Sequence, residues 1–138
     1  MKKSKGFTLV EMLVVIAIIA ILASIALYSA TQYINKGRDA TIKGNLVVLV
    51  TAGELWYDRN SSTYAKFCNL DDGSNDVKKA RAVLADQGTT LYCNVKAPEC
   101  TAWAACARLF VPTNPTMAFC VDNKGNQKEI NNSGCIDS

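Results

Sequence analysis

Gly6-Phe7-Thr8-Leu9-Val10-Glu11 opens the stretch of sequence that decides the fold. Glu11 is the only charged residue from there to Tyr28, in a segment built mainly of Ile, Val, Leu and Ala. As a helix, the roughly 22 residues from Phe7 to Tyr28 would be about 33 Å long, which is enough to cross a bilayer. Residues 7–28 are therefore predicted to form a helix that spans a membrane or packs among other apolar helices.

The acid in this segment needs a partner, because a carboxylate in or near hydrocarbon is costly. We expect the rest of the helix to offer none, since the nearest charge downstream of Glu11 is Lys36. The partner would then come from another molecule, or the acid would be neutral.

The junction before the apolar run provides a candidate partner. A basic flank, with Lys2, Lys3 and Lys5, would stay on the cytoplasmic side of a membrane. An ordinary secretory signal has its cleavage site after the apolar run, whereas the Gly6-Phe7 junction comes before it. A cut after Gly6 would remove residues 1–6, keep the apolar segment and free an α-amine at Phe7. That amine can pair with Glu11 of a neighbouring subunit.

The run Gly6-Phe7-Thr8-Leu9-Val10-Glu11-Met12-Leu13 resembles the processing motif of type IV prepilins and pseudopilins. The resemblance implies cleavage after Gly6 by a prepilin peptidase, N-methylation of Phe7 and an assembly role for Glu11. It also implies a single-pass membrane monomer, with its N-terminus inside and its head outside, which assembles with copies of itself into an extracellular filament. An assembly ATPase and a membrane platform are the further partners that it implies.

The sequence departs from many members of that family at two positions. Tyr28 stands where many have a helix-breaking Pro, and Ala20 stands where many have Gly. A weaker resemblance to the exposed half of pilin helices continues through Arg38-Asp39-Ala40 and Glu54–Asp58.

Three other interpretations stay open. A plain signal anchor holding a monomer would leave the Gly6-Phe7 junction and Glu11 unexplained. A pseudopilin would form a short envelope-spanning piston for secretion or DNA uptake, and an abundant subunit in long surface filaments would argue against it. A membrane-anchored adhesin or DNA-binding module would need a cationic surface, although a merely solvated surface is the simpler interpretation of its candidate residues. Those candidates are Lys78, Lys79, Arg81 and Lys96.

Composition narrows the classes of function. The sequence has 15 basic residues, 12 acidic residues and no histidine, for a net charge of +3. Loss of the three lysines before Gly6 would leave the chain near neutral, without a general basic field to attract nucleic acid. The lack of histidine excludes histidine-based acid–base catalysis and any histidine-containing zinc site. Since no nucleophile–base pair, paired acids or phosphate-binding loop is evident, we expect neither an enzyme nor a bound cofactor.

Six cysteines lie beyond the apolar segment: Cys68, Cys93, Cys100, Cys106, Cys120 and Cys135. This density in a short, outward-facing region predicts a disulfide framework. The alternative is a cysteine-only metal or iron–sulfur site, but no C-x-x-C pair occurs. The pairing is left open by the sequence, although a bridge between Cys106 and Cys120 on neighbouring strands fits the pattern. A bridge from Cys135 would tie down the polar tail 131–138, as C-terminal disulfides do in many pilins.

The helix is expected to continue over residues 29–60, because no proline interrupts 7–59 and Asn60-Ser61-Ser62 can stop it. Residues at alternating steps of four and three share one face of this part: Ile42, Leu46, Leu49, Gly53 and Trp56. The polar set is expected to face water mostly: Lys36, Arg38, Asp39, Lys43 and Asn45. A sheet is therefore expected on one face of this part of the helix.

Three glycines and two aromatic residues in residues 29–60 each allow two structural interpretations. Gly37, Gly44 and Gly53 are poor helix residues. We expect tolerated positions, or a sheet packed closely on Gly53, rather than a hinge. Trp56 and Tyr57 can stack on a ligand, but packing under the sheet is the simpler expectation.

Residues 61–138 are predicted to form a globular head. After the connecting loop, residues 76–87 read as a short helix with an N-cap and Gly88 as its stop. Four short segments separated by turns then predict an antiparallel meander: Leu91–Val95, Ala102–Val111, Met117–Asp122 and Gln127–Ile130. Alternation places four large side chains on the helix-facing side: Trp103, Leu109, Phe119 and Val121. The fold class is thus α+β, a long N-terminal helix packed on a small antiparallel sheet in a disulfide-stapled head.

Overall fold

The computed structural model describes residues 6–111 and 117–131, so the predicted turn at 112–115 lies outside the described residues. The chain divides into two compact units, Met1–Ile34 and Asn35–Ser138. Two helices and four strands follow in chain order: α1 (Leu9–Arg59), α2 (Asn75–Asp86), β1 (Leu91–Val95), β2 (Trp103–Arg108), β3 (Met117–Asp122) and β4 (Gln127–Asn131). The predicted α+β class is confirmed, and β1 and β3 have the predicted bounds.

In the first unit, α1 is apolar on all sides and the chain covers none of it. The most apolar 18-residue window of this helix has no buried residue, and the helix is long and apolar enough to cross a membrane. Two of its hydroxyl groups bond back to the helix itself, Ser24 Oγ to the Ala20 carbonyl at 2.8 Å and Thr31 Oγ1 to the Leu27 carbonyl at 3.2 Å. Polar groups satisfied in this way can enter hydrocarbon without an outside partner.

In the second unit, the four strands form one antiparallel sheet in the order β1-β2-β3-β4. The register pairs Ala105 with Val121 and Ala107 with Phe119, which puts these residues on one face of the sheet. Cys106 pairs with Cys120 on the other face. The predicted meander is therefore confirmed, because each strand lies beside the next one in the chain.

The core of this unit lies between the sheet and one face of α1. Ile42, Leu46 and Leu49 on the helix are fully buried, in one cluster with Trp103 and Val121 from the sheet. The other two predicted inward residues, Leu109 and Phe119, are also buried. The spacing of apolar residues at 3.6 in the helix and at 2 in the strands was enough to find this core.

Asp39 was expected to face water, and that expectation is wrong. Its side chain is buried, and its carboxylate accepts hydrogen bonds from the backbone N–H groups of Phe110 at 2.7 Å and Val111 at 2.9 Å. Each carboxylate oxygen takes one of these bonds, so the acid fastens the chain after β2 to α1. The exposed Arg38 lies over the Phe110 ring, with its guanidinium carbon 5.6 Å from the ring centroid.

We predict that Asp39→Ala lowers the free energy of unfolding of the head by about 2 kcal/mol, because it leaves two half-buried N–H groups without their charged acceptor. Asp39→Asn should lose less, since its amide oxygen can still accept one bond. Denaturant unfolding of the full chain in detergent, followed by near-ultraviolet circular dichroism, measures the difference. The exposed Asp58→Ala is the control, expected within about 0.5 kcal/mol of the parent. Equal stability of D39A and D58A would contradict the assigned role.

At Gly53 a side chain of the sheet lies directly against α1. A Cβ built there would lie 2.6 Å from Trp103 Nε1 and 2.8 Å from its Cε2 atom. Gly44, on the same helix, has nothing within 4 Å of such a Cβ. Of the two expectations for the helix glycines, close packing therefore applies to Gly53 and tolerance applies to Gly44.

The two glycines form a matched pair for a stability test. Gly53→Ala should destabilise the head by about 1–3 kcal/mol, because the indole must move from a packed position. Gly44→Ala should stabilise it by about 0.5–1 kcal/mol, because alanine is the better helix residue where space is free. The same unfolding measurement serves for both. A neutral G53A would show that the indole repacks at no cost.

The segment after α1 returns to the core through two aromatic residues. Tyr64 and Phe67 are buried, and the Phe67 ring lies 4.8 Å from that of Trp103. Burial, and then a 3.1 Å hydrogen bond from its hydroxyl to Glu54, raise the pKa of Tyr64. Trp56 Nε1 donates to the Ala65 carbonyl at 3.1 Å, so this indole packs in the core as expected rather than facing outward.

Helix α2 confirms the predicted short helix to within one residue at each end. Ser74 caps it by accepting from the backbone N–H of Asp76 at 3.2 Å. Val77, Ala80 and Leu84 are its buried residues. Gly88 follows with a φ of 84°, the left-handed conformation that glycine adopts at a helix end.

Candidate functional site

The candidate site lies at the start of α1, where Gly6, Phe7 and Thr8 precede the first helical residue. Thr8 and Glu11 bond to each other reciprocally. Glu11 Oε2 accepts from the Thr8 backbone N–H and from Thr8 Oγ1–H, both at 2.8 Å, and the Glu11 backbone N–H donates to Thr8 Oγ1 at 3.3 Å. This is a capping box, which satisfies backbone N–H groups that have no partner inside the helix.

The capping box corrects the expectation that the helix offers Glu11 no partner. Thr8 supplies two hydrogen bonds from the same chain. The signal was present in the sequence, because a threonine three residues before a glutamate at the head of an apolar run marks a helix start. Thr8 is the residue of the candidate site that the sequence reasoning missed.

Hydrogen bonding by Thr8 does not pair the charge of Glu11. Thr8 is neutral, and residues 6–34 contain no lysine or arginine. The positive end of the helix dipole favours an anion at this position, although less than a full counter-ion would. Among the described residues both bonds to the carboxylate end on Oε2, so Oε1 can accept from a donor on another molecule.

The surroundings of this site are apolar and open. Phe7 is 69% exposed and Leu9 80% exposed, and the large aliphatic side chains that follow are exposed as well. An apolar surface of this extent marks a membrane or protein contact. The site therefore combines a helix start, one unpaired carboxylate and an uncovered apolar surface.

The cysteines lie in the second unit, and the structure joins four of them. Cys68 pairs with Cys93, and Cys106 pairs with Cys120 across β2 and β3. The bridge between neighbouring strands agrees with the sequence pattern. Cys100 makes no disulfide among the described residues, and Cys135 lies outside them. Loops of this length give a disulfide about 3 kcal/mol of stabilisation when the unfolded chain is constrained.

The lysines and arginine considered as a cationic surface are not all exposed. Lys78 is half-buried and its Nζ donates to the Asp71 carbonyl at 2.7 Å. Arg81 is half-buried too, with a buried Nε atom, whereas Lys79 and Lys96 are exposed. Within the described residues, no group of three or more acidic or cysteine side chains is arranged to hold a metal ion.

Residues 1–27 match the family model described as the prokaryotic N-terminal methylation motif. That match covers the capping box, the Gly6-Phe7 junction and most of the apolar helix of the first unit. It supports a type IV pilin-like family for this chain.

Curated relatives agree with that family. The chain is 48% identical over 52 residues to the type IV major alpha-pilin of Moraxella bovis, covering 38% of this chain and 33% of the relative. It is 34% identical over 67 residues to the type IV major pilin protein PilA of Myxococcus xanthus, covering 49% and 30%. A probable minor fimbrial protein of Dichelobacter nodosus is 44% identical over 55 residues, covering 40% and 31%. The chain thus spans about a third of the length of these relatives, and no solved structure matches it.

We predict that Thr8→Val loosens the start of α1 by about 1 kcal/mol, because valine keeps the shape of threonine but removes the hydroxyl of the cap. Thr8→Ser, which keeps a hydroxyl, should resemble the parent. Amide hydrogen exchange of the first helical turn in detergent micelles measures the change. Unaltered protection in T8V would show that the capping box contributes nothing to the helix start.

Proposed function

We propose that this chain is the structural subunit of an extracytoplasmic type IV pilus-like filament, stored in the membrane as a processed monomer. The observation that carries the proposal is an acid at the start of an uncovered apolar helix, immediately after a Gly6-Phe7 junction. Similarity to named pilins supports it, over 38% of this chain for one relative and 49% for another.

In this proposal a prepilin peptidase cuts after Gly6 and the new amine of Phe7 is methylated. The basic residues before the cut hold the N-terminus on the cytoplasmic side until then. The head faces outward, where an oxidising compartment suits its disulfides. We further propose that the framework includes all six cysteines, among them Cys100 and Cys135.

Assembly moves the apolar helix from lipid into a bundle of like helices. Because lipid tails are already apolar, the hydrophobic effect alone does not drive this step. Close packing contributes, and so does an ion pair between Glu11 and the Phe7 amine of a neighbouring subunit. The pair offsets the cost of keeping either charge unpaired in a low dielectric, and it sets the axial register because only one stagger joins the two groups.

The capping box suits such an exchange of partners. While the monomer is stored, Thr8 holds the carboxylate through Oε2. When a neighbour arrives, Oε1 accepts its amine, and the bonds to Thr8 can persist. An assembly ATPase and a membrane platform would supply the work and the site of this step.

We predict that Glu11→Gln leaves membrane insertion and cleavage intact but abolishes filaments, because the amide keeps the shape and the acceptor while the charge is lost. Electron microscopy of sheared surface material and the intact mass of the membrane-held chain measure the two steps. Thr8→Val is the matched control, since it removes the cap and keeps the charge, and it should still form filaments.

Normal filaments from E11Q would refute the ion pair. A purified chain that begins at Met1 would refute processing, and the protein would then be a tethered monomer. A pseudopilin shares the same processing, but it would give short envelope-bound assemblies in place of long surface filaments in the same micrographs.

A further inference from the structure

The turn that follows α1 has an unusual backbone. The helix ends at Arg59, and the next three residues are Asn60-Ser61-Ser62. Ser61 and Ser62 have φ angles of 57° and 58°, so two consecutive residues with side chains adopt the left-handed conformation. Glycine is the residue that this conformation favours, because a Cβ strains it. The backbone conformation therefore does not explain why both positions are serine rather than glycine.

This turn is a surface feature between two fixed points. On one side the Ser62 backbone N–H bonds back to the Tyr57 carbonyl at 3.0 Å. On the other side Tyr64 is buried, and its backbone N–H donates to the Cys100 carbonyl at 2.9 Å. Both serines are exposed and Asn60 is half-buried. Backbone strain at the two serines lowers the cost of opening the turn, and the buried Tyr64 limits the opening to the residues before it.

The three residues also form an Asn-x-Ser tripeptide, the acceptor pattern for N-linked sugars in exported proteins. Asp58 places an exposed carboxylate two residues before the asparagine. The sequence has a second such tripeptide at Asn131-Asn132-Ser133, again with an acid, Glu129, two residues earlier. Part of that second tripeptide lies outside the described residues, whereas Asn60, Ser61 and Ser62 all lie within them.

We propose that Asn60 is an N-glycosylation site, modified on the outer side of the membrane with a sugar from a lipid-diphosphate-linked donor. The Asn60 Nδ2 atom attacks C1 of the sugar and forms an N–C bond. The bond between C1 and the diphosphate oxygen breaks, the lipid diphosphate leaves with the electron pair, and Nδ2 loses one proton. The proposal rests on the proposed function only for export of the head.

The side chain of Asn60 can carry the sugar without losing its place in the fold. Nδ2 has two hydrogens, and it donates one of them to the Trp56 carbonyl at 2.8 Å. Glycosylation replaces the other, so the modified amide still caps the end of the helix. Since the exposed serines follow directly, the attached sugar would extend into solvent.

The test is peptide mass analysis of the chain from the cell envelope of its native host. Trypsin cuts after Arg59 and Lys66, which isolates the peptide of residues 60–66. We expect this peptide to carry a sugar mass that fragmentation places on the asparagine side chain. The mass should disappear in Asn60→Gln and Ser62→Ala. It should remain in Ser62→Thr, which keeps the hydroxyl that the pattern requires, and in Ser61→Ala.

An unmodified peptide 60–66 overturns the proposal, and so does a sugar that survives in N60Q or lies on a hydroxyl oxygen. The same digest reports the N-terminus, because the processed chain gives a peptide of residues 7–36. A glycosylated Asn60 beside an uncut N-terminus would refute the proposed function and leave the glycosylation site standing. A correctly cut N-terminus together with an unmodified Asn60 would refute the glycosylation site and leave the proposed function standing.

Discussion

In the first unit α1 is apolar on every side and the described chain covers none of it, and this constraint governs the unit. None of its most apolar window is buried, so cover must come from lipid or from other molecules. The one strongly polar requirement is the carboxylate of Glu11. Thr8 donates two hydrogen bonds to one of its oxygens and leaves its charge unpaired, and in the proposed filament the amine of a neighbouring subunit pairs with that charge.

In the second unit, by contrast, α1 is apolar on one face only, and the sheet covers that face. Ile42, Leu46 and Leu49 fill the space under the strands, while Gly53 lets the Trp103 ring lie directly against the helix. At the edge of this core, Asp39 accepts two hydrogen bonds from the backbone that follows β2. The two disulfides then close loops around the sheet, one on each of its faces.

Much of this was predictable from local patterns. The period of apolar residues located the buried face of α1, and turn residues between alternating segments gave β1 and β3 their bounds. The Gly6-Phe7 junction and Glu11 identified the candidate site, and the matched methylation motif covers both. Thr8 could have been found as well, because the pattern of a capping box depends on a spacing of three residues. Asp39 could not, because the backbone N–H groups that donate to it lie about seventy residues away in sequence, just after β2.

The sequence by itself determined which segment is apolar all round, where the acid stands in it, and that the rest of the chain forms a helix face and four short strands. These properties follow from composition and spacing along the chain, which act over a few residues. Only the tertiary structure decided that Cys68 joins Cys93, that Asp39 is buried, and that Gly53 rather than Gly44 contacts an indole. Those outcomes depend on which segments, far apart in sequence, come into contact, and a local sequence pattern does not specify such contacts.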